Sequence, residues 1–212
     1  MQAFFNAVRP MFGKLKQSQV DGLNAILRAT ESLPITHRAY LLATVFHETA
    51  KTMQPITEYG PRSYFSKYDT GRLASALGNT PEADGDGYTY RGRGYVQITG
   101  RANYQKATDN LGVDFVHNPS LALRPDYAAR ILVLGSSEGW FTGRKLGDYL
   151  PGDYEGARRV INGTDRAATI AGYARRFEAA LRAVPDPKPS SGLAGLLSAV
   201  IEAMLSFLRS LR

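Results

Sequence analysis

Two glutamates ten residues apart, Glu48 and Glu58, are the side chains whose type and setting best suit chemistry. Glu48 follows Val45 by three residues and Leu41 by seven, a spacing that puts it on the apolar face of a helix. Burial and the nearby negative helix end disfavour the charged form of a carboxyl, which suits a general acid. The plain alternative is a helix-terminal carboxylate paired with Lys51 or Arg38. Glu58 sits in ITEYGPRSYF, beyond Pro55 and therefore off that helix, where it could face Glu48 across a cleft. Glycoside hydrolysis needs two such groups, one to protonate the leaving oxygen and one to activate water or attack the sugar. Glu82 is the rival second carboxylate, although Pro81, Asp84, Gly85 and Asp86 mark an exposed turn around it.

Other chemistries fit less well. His47-Glu48 begins the pattern H-E-x-x-H, but position 51 is Lys, and the only other histidines are His37 and His117. With no cysteine in the chain, thiolate chemistry, disulfides and sulfur-ligated zinc are excluded. No G-x-S-x-G elbow supports a serine nucleophile. No metal or other cofactor is expected.

The stretch Tyr88–Tyr104 is the most informative. Its glycines allow backbone to approach a ligand, its tyrosines offer flat faces to sugar rings, and Gln97, Thr99 and Asn103 suit hydroxyl and N-acetyl groups. Tyr95 and Arg93 are nominated as substrate-binding from the same cluster. Arg91, Arg93 and Arg101 among tyrosines could also hold phosphates and stack bases, so a basic nucleic-acid-binding module is the competing reading from another class. The carbohydrate reading is preferred, and no nucleic-acid partner is expected.

The elements that must position these residues are mostly helical. Apolar periodicity predicts helices over 20–31 and 37–49, with Thr36 as N-cap, and again over 102–111, 125–134, 154–161 and 167–184. Between 55 and 94 the texture is that of loops lining a cleft, and 95–99 alternates like a short strand with Val96 and Ile98 on one face. A Pro- and Ser-rich linker is expected at 185–192, and 193–212 reads as an amphipathic helix. The expected organisation is one catalytic domain over 1–184, the linker and that helix.

The motifs F-H-E-T-A (46–50), Y-R-G-R-G-Y-V-Q-I-T-G-R-x-N-Y (90–104), N-P-x-L-A (118–122) and V-I-N-G (160–163), in this order, resemble the family 19 glycoside hydrolases. That chitinase-like group, and specifically its bacteriophage endolysin branch, is the resemblance. It implies a lysozyme-like, α-rich fold with at most a small hairpin, and an inverting mechanism with Glu48 as acid and Glu58 as base. Thr99 would help hold the water, and Gln97, Asn103, Tyr104 and Asn162 would bind substrate. The implied activity is hydrolysis of β-1,4 bonds in peptidoglycan leading to host lysis, with a chitinase acting on chitin oligomers as the nearest alternative.

A chain of 212 residues is long enough for one sizeable core, and its net charge of +7 favours anionic partners. The expected partners are peptidoglycan glycan strands and, through 193–212, an anionic membrane or lipopolysaccharide. The amino terminus does not read as a secretory signal. The expectation is a monomer held in the host bacterial cytoplasm and released to the cell wall at lysis.

Overall fold

Hydrophobic spacing builds three helices up to Glu48: α1 (Gln2–Phe12), α2 (Gln17–Ala29) and α3 (Ile35–Glu48), in the computed structural model, which describes residues 1–184. β1 (Ile56–Thr57), α4 (Arg62–Phe65), α5 (Gly71–Leu77), α6 (Asp86–Thr89) and β2 (Arg93–Gly94) follow as short elements. The described residues continue with α7 (Arg101–Leu111), α8 (Pro125–Glu138), a tight 3-10 turn at Gly156–Val160, and α9 (Ala167–Arg182). The mostly α expectation with a small hairpin holds, since β1 and β2 form a two-stranded antiparallel sheet pairing Ile56 with Gly94 and Thr57 with Arg93.

Every residue of α3 from Ala39 to Phe46 is buried, so this helix is wrapped on all sides. Phe46 meets Phe12 of α1 and Tyr173 and Phe177 of α9 edge to face, at centroid separations of 4.9, 4.8 and 5.7 Å. The fully buried Phe46 and Phe177 each contribute about 1.5–3 kcal/mol by burial alone. A second, smaller core gathers Tyr90, Ile98, Tyr104, Leu111 and Phe115 against Ile131 of α8. Since α8 also sends Ala128, Ala129 and Leu132 into the first core, it is the shared wall of both.

Four differences from the sequence expectations have local causes. The helix starts at Ile35 after Pro34, so Thr36 lies inside it rather than capping it. The expected strand over 95–99 is a turn: Gln97 adopts a left-handed φ of 55°, and the chain folds back so that Arg93 and Ile98 exchange backbone hydrogen bonds of 3.2 and 3.0 Å. Tyr95 therefore enters the first core while Ile98 enters the second. The helix expected over 154–161 is only the 3-10 turn, entered where Asp153 Oδ1 accepts from the Gly156 N–H at 2.7 Å. Finally, the amino-terminal stretch forms α1, which tolerates Pro10 near its end and buries Phe4 and Val8. The linker over 185–192 and the helix over 193–212 lie outside the described residues.

Candidate active site

Glu48 is the last residue of α3, and the turn after it is made without glycine. Ala50, Lys51 and Met53 have φ of 48°, 69° and 56°, left-handed conformations that each cost about 1–2 kcal/mol in non-glycine residues. The orphan carbonyls of the helix end are satisfied within this turn: Thr49 Oγ1 donates to Val45 O at 2.7 Å and the Lys51 N–H to Phe46 O at 2.8 Å. The turn is fastened to α2, where Gln19 Nε2 donates to Lys51 O at 2.9 Å and Gln54 Nε2 to Ser18 O at 2.5 Å. Gly22 allows that contact, because a Cβ there would sit 1.8 Å from Met53 O.

The Glu48 carboxylate is a quarter exposed and accepts from Arg158 Nη1 at 2.5 Å. Arg158 is only 2% exposed, and its Nε donates to Asp165 O at 3.0 Å. Neither Lys51 nor Arg38 is the partner, and the apolar setting expected for Glu48 is corrected to an ion pair with a residue 110 positions away. Burial pushes the Tyr40 phenol, one of the groups close to this pair, far above its usual range, while the Arg158 charge opposes that rise. Asn162 is exposed just after the turn that carries Arg158, its backbone N–H donating to Arg158 O at 2.9 Å.

Glu58 is held by a different set of partners. Its N–H donates to Gly92 O at 2.7 Å, the Gly92 N–H returns a bond to Oε2 at 3.0 Å, and Tyr68 Oη donates to Oε1 at 3.4 Å. Burial, and then the charge of Glu58, raise the Tyr68 phenol, so it stays a donor. A Cβ on Gly92 would meet Gln97 Oε1 at 2.9 Å and Glu58 Oε2 at 3.1 Å, which shows how closely both side chains crowd this glycine. Gln97 Nε2 donates to Ile56 O at 2.8 Å, Thr99 Oγ1 to Gln97 O at 3.1 Å, and Asn103 Nδ2 to Thr99 O at 2.7 Å. Glu58, Gln97, Thr99 and Asn103 thus form one linked group running from β1 to α7. Glu82 is exposed in the 80–85 turn and has no part in it.

Three nominated substrate contacts lie in the interior. Arg93 is 7% exposed and Tyr104 fully buried; Arg93 Nη1 donates to Tyr104 Oη at 2.9 Å and to Thr89 O at 2.8 Å. Tyr104 Oη in turn donates to Arg91 O at 2.9 Å, which ties α7 to the segment carrying Gly92 just before β2. Tyr95 is 1% exposed with Oη 3.4 Å from Met53 O, and burial raises its phenol strongly. These side chains brace the segment that carries Gln97 and Thr99. Sequence reasoning missed Arg158, whose only signal was its place just before V-I-N-G, and Tyr59, which stands 98% exposed next to Glu58.

With this geometry established, comparison with known proteins adds the fold. No family model matches the chain. A 41-residue segment is 54% identical to a glycosyl hydrolase family 19 domain-containing protein of Haemophilus influenzae, covering 19% of this chain and 20% of that relative. The matched segment thus spans about one fifth of the relative's length. The solved structure of chitinase C from Streptomyces griseus HUT6037 aligns with a TM-score of 0.60 at 20% identity, over 86% of this chain and 78% of that one. The chain has the family 19 chitinase fold. A second bacterial family 19 chitinase aligns at a TM-score of 0.52 and 21% identity, over 86% of this chain and 96% of its own. The chitinase-like family 19 resemblance read from the sequence is borne out, as is the lysozyme-like, α-rich architecture.

Proposed function

We propose that this protein hydrolyses β-1,4-glycosidic bonds of bacterial peptidoglycan by inversion, with Glu48 as general acid and Glu58 as general base. The observation that carries the reading is the pair of partly exposed carboxylates, each fixed by protein donors on a separate element, within a family 19 chitinase fold. Glu48, on the rigid end of α3, protonates the leaving oxygen. Glu58 accepts a proton from water while Thr99, whose hydroxyl proton is engaged by Gln97 O, presents lone pairs that accept the water's other proton. Inversion calls for carboxyl groups about 6.5–9.5 Å apart, leaving room for that water. Exposed Asn162 and the polar groups of Gln97 and Asn103 contact the sugar, while Arg93, Tyr95 and Tyr104 act from behind by positioning.

The motif resemblance to the endolysin branch supports a role in bacterial lysis, in which a monomeric enzyme made in the host cytoplasm reaches the wall when the cell is breached. Residues 193–212 would add contact with an anionic membrane or lipopolysaccharide. A second reading, hydrolysis of chitin oligomers, is favoured by the names of the solved neighbours, which are chitinases. Turnover of purified peptidoglycan and of chitin oligomers, with the first-formed anomer followed by NMR, separates the two. Faster release of reducing ends from peptidoglycan, with inverted configuration, is expected; activity confined to chitin oligomers overturns the substrate, and retained configuration overturns the mechanism.

A further inference from the structure

The segment between β1 and α6 carries a cationic, aromatic surface that the acid/base reading does not use. Its anchor is Phe65, fully buried, against which Tyr64 and Tyr88 pack edge to face at 5.1 and 5.7 Å. Lys67 Nζ lies 3.5 Å from the centre of the Tyr64 ring and 4.7 Å from that of Tyr68. The Arg62 and Arg91 guanidinium groups lie 5.1 and 3.9 Å from the Tyr88 ring. Such contacts orient the cations without neutralising them.

The surface is continuous with the candidate base. Tyr68, beside Lys67, is the residue whose hydroxyl donates to Glu58, and Arg91 precedes Gly92, which also binds that carboxylate. Among the described residues, no carboxylate lies within ion-pair distance of Arg62, Lys67 or Arg91. The lobe's aspartates are occupied elsewhere: Asp69 accepts from the Gly87 N–H, Asp86 from the Thr80 N–H, and Asp84 from Thr80 Oγ1 and the Asp86 N–H. Beside Arg62 opens a cavity of about 260 Å³ bordered by Ser63, Ser66 and Tyr88 and, on its other side, by the hydrogen-bonded Asp69 and Asp84.

A neutral polysaccharide offers hydroxyl and amide oxygens to these three cations but no opposite charge, and among the described residues they have no carboxylate partner. A glycan bearing short peptides offers carboxylates at regular intervals along the strand, each able to accept charge-assisted hydrogen bonds. We propose that Arg62 and Lys67 form a subsite for the carboxylates of peptide stems on the glycan, next to Glu58. This inference rests on the peptidoglycan reading and deepens it from a backbone cleavage to recognition of the substituted strand.

The test compares kcat/KM on peptidoglycan with kcat/KM on the same material after its stem carboxylates have been converted to neutral methylamides, with chitin oligomers as a third substrate. For the wild type the strand with free stem carboxylates is preferred; in an Arg62→Gln/Lys67→Gln double variant, checked for folding by circular dichroism, that preference falls about three- to tenfold, as expected for two exposed ion pairs. The fall resides in KM, and Lys67→Arg retains the preference. An unchanged ratio in the double variant overturns the subsite while leaving the peptidoglycan reading intact. A wild type that cuts chitin oligomers and neither form of peptidoglycan overturns both.

Discussion

The two glutamates are held by opposite kinds of structure. Glu48 ends a helix buried on all sides and is met by an arginine that is itself buried, so its position follows from the packing of α1, α2 and α9 around α3. Glu58 lies among short elements, where a two-residue strand, one glycine and one tyrosine hydroxyl fix it through individual hydrogen bonds. The difference teaches that disturbing the first region is expected to cost stability and activity together, whereas disturbing the second can cost activity with the fold intact.

Breaking the first region at its ion pair gives the largest expected effect. Arg158→Met leaves Glu48 and Asp165 O without their donor. Removing one partner of a fully buried pair costs about 3–5 kcal/mol, and the partial exposure of Glu48 places this case at about the lower end. Denaturant titration is the check, and a loss under 1 kcal/mol would show that packing alone holds the helix end. Gly22→Ala comes next. Alanine is favoured over glycine in a helix by about 1 kcal/mol, but a Cβ 1.8 Å from Met53 O forces α2 and the 49–54 turn apart, and overpacking costs about 1–3 kcal/mol. A net loss of stability accompanied by reduced activity is expected, read by thermal melts and by release of reducing ends.

In the second region, Gly92→Ala puts a methyl against Glu58 Oε2 and Gln97 Oε1, the ends of flexible side chains that can give way, and 3.2 Å from Glu58 Cβ, where the two-residue strand must shift by a few tenths of an ångström. Stability should change by less than about 1 kcal/mol, while displacement of both groups should lower kcat by about tenfold or more. Equal losses of stability in Gly92→Ala and Gly22→Ala would erase the distinction between the regions. The smallest effect is a pH dependence on the helical side. Burial holds the His37 imidazole below its usual value of 6.5, against a backbone hydrogen bond with Leu150. Since the unfolded chain binds that proton more readily, the stabilisation is present above about pH 6.5 and lost as the pH falls through the folded value. His37→Gln should flatten the stability slope between pH 7 and 5, measured by urea titration at each pH.

What could be read from the sequence divides along the same line. Helices α2, α3 and α9 were legible because apolar residues recur with helical spacing, and Glu48 could be put on a particular face for that reason, whereas α1 was not foreseen. Arg158 was not, since a short run with two adjacent arginines does not say which one turns inward; the 3-10 turn decides it. In the Glu58 region, residue types suggested a polar ligand site, but alternation at 95–99 suggested a strand where Gln97 makes a turn. Its left-handed backbone is held by side-chain bonds to Ile56 O and Gly94 O, contacts that no local pattern encodes. Arg93 is nominated as a ligand contact by its type and Tyr104 by the family resemblance, and only the fold shows that they satisfy each other.

The central claim is that two carboxylates share the work. Its most direct test is the rate of reducing-end release from purified peptidoglycan by wild type, Glu48→Gln and Glu58→Gln, with folding checked by circular dichroism. The account predicts that each folded variant loses at least about 100-fold, the size of effect expected when a general acid or base is removed. Near-wild-type activity in Glu58→Gln would contradict it and move the base elsewhere, with Glu82 the next residue to replace.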